Sequence, residues 1–269
     1  MRMLTPTQLQ SVVPAAFAQA PEPGVSRHYG FVPTMAVVEA LQRQGWYPVH
    51  AQQSAVRDPA RQDVAQHLIR FRQAPDQQLA VGDSVAELVL SNSHDRTAAF
   101  QLDLGLYRWA CQNALITPLE ADGAVRVRHD RSARQSIQAR VVALSDQWPR
   151  LAERVECCAS TLLRRVEAEQ LAQAALALRY GEHWRECSPI EPSALLTPRR
   201  EDAVSDALWT VFNRLHENLF KGGLVGNSVE GRRTRTRAIQ GVGEHLRLNR
   251  ALWSLTERFV QEVGGTGHG

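Results

Sequence analysis

The apolar residues of this chain change period once, near residue 130, and that switch limits the folds open to it. Before the switch, short apolar runs alternate with polar residues, the two-residue period of half-buried strands. Trp46 to Val56, Gln66 to Arg72 (QHLIRFR), Glu87 to Ser91 (ELVLS) and Ala98 to Leu104 read as strands. The polar run SNSHDR makes the turn between the last two. Gly105 reads as a tight corner, Leu106 to Ile116 as a further strand, and Val125 to His129 (VRVRH) as the strand that closes the sheet. After the switch, Ile137, Val141, Leu144 and Trp148 fall at i, i+4, i+7 and i+11, one face of a helix. Strands first and helices second make an α+β fold. The expectation is a largely antiparallel sheet of about five strands followed by a helical C-terminal half.

The remaining segments take their places around that plan. Residues 1–30, with Pro6, Pro14, Pro21 and Pro23, read as a mostly irregular N-terminal arm. Pro33 and Thr34 open a helix with Val37, Val38 and Leu41 on its apolar stripe, and Gly45 stops it. Residues 31–130 form the sheet region, 131–262 the helical region and 263–269 a disordered tail, all in one compact unit. Ser132 to Trp148 and Pro149 to Tyr180 are helical, with a break near Arg164 to Glu167. Gly181 to Pro198 is a connecting loop. Arg200 to Phe220 is a helix burying Ala203, Ala207, Leu208, Val211, Leu215 and Leu219, closed by Gly222 and Gly223. The last helix runs about Leu246 to Val260, and Trp148, Trp209 and Trp253 belong to the core.

Several classes are excluded on composition. No stretch of about 18 apolar residues exists, so no membrane span is expected. Ser11 to Ala20 is mildly apolar, but Pro14 and Gln19 break it; it reads as part of a cytoplasmic protein's arm and not as a signal peptide. Cys111, Cys157, Cys158 and Cys187 form no CxxC pair, which argues against a zinc site and a disulfide framework. No metal and no cofactor is expected.

Charge singles out residues 221–253. Seven cations (Lys221, Arg232, Arg233, Arg235, Arg237, Arg247 and Arg250) stand against Glu230 and Glu244, a net +5 where the whole chain carries +3. Lys221 is the single lysine among 31 basic residues, a compact ammonium beside two glycines. Guanidinium groups grip phosphates in two-pronged fashion, and hydroxyls and glycine amides add contacts. Gly222, Gly223, Gly226, Gly231, Gly241 and Gly243 let the backbone approach a ligand closely. Lys221, Arg232, Arg233, Arg235, Arg237 and Arg247 are therefore the candidate nucleic-acid contacts, within a basic segment spanning 221–250. KGGLVGNS lacks the order of a nucleotide-binding phosphate loop, which disfavours nucleotide hydrolysis. The plain alternative is a solvated face, or arginines paired with a neighbouring subunit.

Two weaker constellations remain. His94 and Asp95 stand together in the SNSHDR turn, with Asn113 one strand later, as an acid–base or metal-binding candidate. Turns select Asn, Ser and Asp for their own backbone bonds, so a structural role ranks first. Tyr107 and Trp109 share one face of a strand, a platform on which bases stack in some nucleic-acid binders.

Four stretches carry a resemblance. They are FVPTMAVVEAL with QSAVRD, then LSNSHDRTAAFQLDLGLYRWACQNALI, then LTPRREDAVSDALWTVFNRLHENLFKGGLVGNSVEGRRTRTRAIQGVGEHLRLNRALW. From about Tyr29 to Phe259 the chain resembles the YafZ/YfjQ/YubP type of proteins found in prophages and on conjugative plasmids. That family has no assigned chemistry, so the resemblance implies a setting, mobile-element DNA, and no catalytic residue. The expectation is a non-enzymatic DNA-binding protein, with single-strand binding or annealing by a homo-oligomer as its form. An anti-defence or regulatory protein docking on a host protein, and a metal-dependent nuclease built on His94 and Asp95, are the alternatives.

Overall fold

A computed structural model describes residues 2–25, 30–111, 113–116, 126–127 and 141–265. Its contacts divide the chain into two compact units. The first holds Met1–Tyr107, Ile116–Pro149 and Gly241–Gly243; the second holds Arg108–Leu115, Arg150–Gln240 and Glu244–Gly269.

The first unit is built on an antiparallel sheet. Its strands are β1 (Trp46–Gln53), β2 (His67–Gln73), β3 (Ala80–Val81), β4 (Ser84–Asn92), β5 (Phe100–Arg108) and β7 (Arg126–Val127); β6 (Asn113–Ile116) falls mostly in the second unit. The hydrogen-bonded path is β1-β2-β4-β5-β6, with β3 beside β4 and β7 beside β5. A path of five strands with two short flanking ones matches the expected architecture. Arg70 stands opposite Val89 and Phe71 opposite Leu88, so Ile69, Phe71, Leu88 and Leu90 share the apolar face. β1 has the edge position, which tolerates Pro48; the register shifts between Pro48 and His50 because proline donates no ladder bond. Gly105 makes no corner. β5 runs through it from Phe100 to Arg108, kept in phase by the buried Leu102, Leu104 and Leu106.

The N-terminal segment is helical where an irregular arm was expected. α1 (Pro6–Val12) opens with a capping box: Gln8 N–H donates to Thr5 Oγ1 at 3.2 Å, and Thr5 N–H to Gln8 Oε1 at 2.9 Å. Pro14–Phe17 adds a 3-10 turn, and Leu9, Val13, Ala15 and Ala16 are buried. Leu4 N–H donates to Pro48 O at 2.7 Å and Ala15 N–H to Gln53 Oε1 at 3.0 Å, so this segment covers the edge strand. α2 (Thr34–Gln42) buries Val37, Val38 and Leu41 as expected.

The second unit is helical. It comprises α3 (Trp148–Ser160, entering from the first unit), α4 (Arg165–Tyr180), α5 (Trp184–Cys187), α6 (Pro192–Leu195), α7 (Leu208–Lys221) and α8 (Val242–Gly265). Residues 141–146 are helical as well, within the first unit, while the expected helix from 132 to 140 and the strand at Val125 and 128–129 lie outside the described residues. The break between α3 and α4 falls at 161–164, and there Leu162 bridges Ala207. Leu208 N–H donates to Thr161 O and Leu163 N–H to Asp206 O, which takes residues 204–207 out of any helix and delays α7 to Leu208. Residues 181–198 are not a plain loop, since α5 and α6 lie within them. α7 is buried except at half-buried Thr210 and exposed Lys221, and its buried residues include Asn213, Arg214, His216, Glu217 and Asn218. Trp209 and Phe212 of α7 stack on each other, and Trp253 meets both edge to face, with ring centroids 5.8 Å apart for Phe212 and Trp253. A two-stranded ribbon, β8 (Val225–Asn227) with β9 (Arg233–Arg235), follows α7. Among the described residues no helix is long and apolar enough to cross a membrane.

Candidate nucleic-acid interface

The arginine run is a strand, and its own alternation makes it one. In Arg233-Thr234-Arg235-Thr236-Arg237 every second residue is arginine, so the arginines share one side of the pleat and the threonines the other. Burial follows the alternation: Arg233, Arg235 and Arg237 are exposed, Thr234 is half-buried and Thr236 is buried. Val225 stands opposite Arg235, and Asn227 opposite Arg233. The ribbon closes through Val229, Glu230 and Gly231. Ser228 N–H donates to Arg232 O and Gly231 N–H to Ser228 O, both at 2.8 Å, in the three-residue form whose last position is left-handed.

The threonine side of the ribbon is docked. Gly226 faces Pro189, and a Cβ there would lie 1.7 Å from Pro189 O. Asn227 N–H donates to that same oxygen at 2.8 Å. At the root, Thr236 N–H donates to Leu224 O at 2.9 Å, and Thr236 Oγ1 accepts from Leu224 N–H at 3.1 Å. A Cβ on Gly222 would sit 2.6 Å from the Arg237 carbonyl carbon. These two glycines admit the protein's own backbone, where the sequence suggested room for a ligand. Arg179 donates to the carbonyls of Leu219 and Arg237, and Arg199 to Asn218 and to the Gly222 carbonyl. They position the ribbon, and sequence reasoning missed both, because nothing local separates a clamping arginine from a solvated one.

The expected cations divide into two groups. Arg232, Arg233, Arg235 and Arg237 are exposed on the ribbon. Among the described residues, the carboxylate in ion-pair range of these four is Glu230, 3.7 Å from Arg232 with both side chains largely in solvent. Lys221 and Arg247 are exposed as well, but both are bonded to partners of their own unit. Lys221 Nζ donates to Glu217 Oε1 at 2.8 Å and to Cys111 O at 3.0 Å, while Arg200 meets the other Glu217 oxygen at 3.2 Å. Arg247 grips Glu244 with two bonds of 2.6 and 2.8 Å and donates a third to Leu178 O. The hydrogen bonds from Arg247 hold the Glu244 carboxyl below its usual range.

His94 and Asp95 diverge into separate hydrogen-bonded settings. His94 is fully buried, its ring 4.8 Å from Phe31 and 5.5 Å from His67. Thr34 Oγ1 is the hub: it lies 2.9 Å from His67 Nε2, 3.4 Å from His94 Nε2, and accepts from Asn92 Nδ2 at 3.0 Å. His67 Nδ1 donates to Ala65 O at 2.9 Å, so its Nε2 accepts the Thr34 proton. Burial pushes the His67 imidazole down to about 4, hence it is neutral at physiological pH. Asp95 accepts from Thr97 N–H and Arg61 at 3.0 Å. Burial works against its charge, but the Thr97 bonds, with Arg61, hold the carboxyl below its ordinary range. This is a folding network for the turn, as the turn chemistry implied. Asn113 opens β6, and its side chain is outside the described ones. β5 ends at Arg108, so Trp109 lies in the following turn and shares no strand with Tyr107, whose ring takes the Arg72 guanidinium at 3.5 Å.

A mostly antiparallel sheet followed by helices that present an arginine-studded ribbon thus defines an α+β protein with a cationic projection. The chain belongs to a family described as a domain of unknown function, DUF932, whose model matches residues 24–253. It is similar to two proteins of Escherichia coli strain K12, the UPF0380 proteins YfjQ and YafZ. Each is 36% identical over 262 residues, covering 97% of this chain and 93% of the relative. No solved structure matches it.

Proposed function

We propose that this chain binds DNA through Arg232, Arg233, Arg235 and Arg237, as a binding protein and not as an enzyme. The observation that carries the reading is the exposure of four arginines on one docked ribbon, where the carboxylate in ion-pair range among the described residues is the loosely placed Glu230. Exposed, weakly compensated arginines in a stiff array suit a polyanion, because little must be desolvated or reordered before they meet phosphate. Lys221 and Arg247 serve the scaffold in this reading. The setting implied by the resemblance to prophage and plasmid proteins favours DNA over RNA. His94 is buried beside Thr34 and Asp95 is bonded to Thr97 and Arg61, and these engagements favour a binding role over a nuclease built on the pair.

Fluorescence anisotropy of labelled DNA, titrated at several salt concentrations, tests this. Each duplex phosphate neutralised adds about 0.9 to the slope of log K against log salt. Replacing the four arginines by alanine should flatten that slope by about 0.9 for each one that meets a phosphate, up to about 3.6, while leaving the melting temperature in place. Equal binding by both proteins, or none by wild type at low salt, would remove the proposal. A second reading, docking on a host protein, draws on Val229 at the ribbon tip, 82% exposed. The absence of DNA affinity would turn attention there.

A further inference from the structure

We infer that the ribbon's partner is B-form duplex DNA, entered through the major groove, with Arg233, Arg235 and Asn227 turned to the base edges. This rests on the DNA-binding reading above and narrows it to one shape of nucleic acid.

Shape is the first argument. Two paired strands lie about 4.8 Å apart, and a ribbon of that width with its side chains fits a groove about 12 Å wide. The ribbon is docked by its threonine side through Gly226 on Pro189, so the opposite side, carrying Val225, Asn227, Arg233 and Arg235, is the exposed one. Spacing is the second. Residues two apart on a strand stand about 6.7 Å from one another, close to two base-pair steps of about 3.4 Å. Arg233 and Arg235 are so related, and Asn227 is cross-strand from Arg233 on the same side. Arginine pairs with the O6 and N7 edge of guanine and asparagine with the N6 and N7 edge of adenine, so the exposed side holds a reading set. Arg232 and Arg237, at the two ends of the strand, are placed for phosphates.

Composition and groove shape disfavour the competing partners for this ribbon. Single-strand binding depends on aromatic platforms on which bases stack. Residues 223–238, GLVGNSVEGRRTRTRA, contain no aromatic residue, and the preceding Phe220 is buried and stacked on His216 with ring centroids 4.2 Å apart. The major groove of A-form RNA is deep and narrow and does not admit a ribbon. The annealing form expected by analogy of fold class is therefore not the one that this surface favours.

The test uses the full chain with three labelled probes of one mixed sequence: a DNA duplex, its single strand and the matching RNA duplex. The DNA duplex should be bound about 10-fold or more tighter than the other two. Dimethyl sulfate, which attacks guanine N7 in the major groove, should show protected guanines with wild type. In Arg233→Ala/Arg235→Ala that protection should vanish and duplex affinity fall about 30-fold or more, the lower bound for two lost two-pronged base contacts. A duplex carrying 7-deazaguanine should lose affinity for wild type and not for the double variant. Binding to none of the probes would overturn the DNA-binding reading itself. Equal or tighter binding to the single strand or to RNA, or duplex binding with guanine N7 unprotected, would overturn the groove assignment and leave DNA binding standing. Circular dichroism melts of the variants keep folding apart from binding, since both substituted side chains are exposed.

Discussion

Glu87 is fully buried and lies between two arginines, 2.9 Å from Arg70 and 2.6 Å from Arg72. Removing one member of such a group leaves charges that the interior cannot solvate. Glu87→Gln keeps the shape and removes the charge; a loss of about 3 kcal/mol in urea unfolding is expected. His67 sets a pH dependence. Its folded value is about 4 against an ordinary 6.5, so between those two pH values the unfolded chain binds the proton and the folded chain does not. The stability due to its neutral burial is therefore complete above about pH 6.5 and lost as the pH falls towards 4, on the order of 3 kcal/mol in all. His67→Gln should flatten the unfolding free energy across that window, and an unchanged acid limb would refute the assignment. At this scale the sequence was least legible. His94 and Lys221 looked reactive or available by type, but availability depends on neighbours 60 and 110 residues away, Thr34 for one and Cys111 for the other.

The ribbon is the element whose nature the sequence concealed. Read for charge, GRRTRTR is a solvated run; read for period, its Arg-Thr alternation is a strand, and that signal was present. Gly226 has a different origin. It is small because Pro189 passes within reach, a neighbour that no local pattern announces. Gly226→Ala should push the ribbon off that site. Hydrogen–deuterium exchange should then show faster exchange at the Asn227 amide, which now donates to Pro189 O, with little change in α7. Unchanged protection would mean that the docking contact is not what holds the ribbon. The capping box of α1 shows the opposite case. Thr5 and Gln8 were a complete local signal, outweighed in the sequence reading by the count of prolines, although Pro6 occupies the first turn, where proline is tolerated.

On the scale of the molecule, charge is uneven. The chain carries +3, and Arg232, Arg233, Arg235 and Arg237 supply four of its positive charges, so their replacement by alanine leaves a net −1. Long-range attraction to a polyanion follows the whole field and should change sign with it. Wild type should be retained on a heparin column to well above physiological salt and the variant should elute near the void. Retention of the variant would mean that other basic residues dominate the surface. The order of strands before helices, the antiparallel sheet and the tryptophan core were determined by the sequence alone. They follow from backbone periodicity and from the burial of apolar area, both of which act over a few residues. Tertiary structure decided which cations are spent on Glu217 and Glu244 and which are exposed on the ribbon, why Gly222 and Gly226 are glycines, and why His94 is hidden. Each of those depends on a partner brought close by the fold, and a charge or a small residue carries no mark of the partner it will meet.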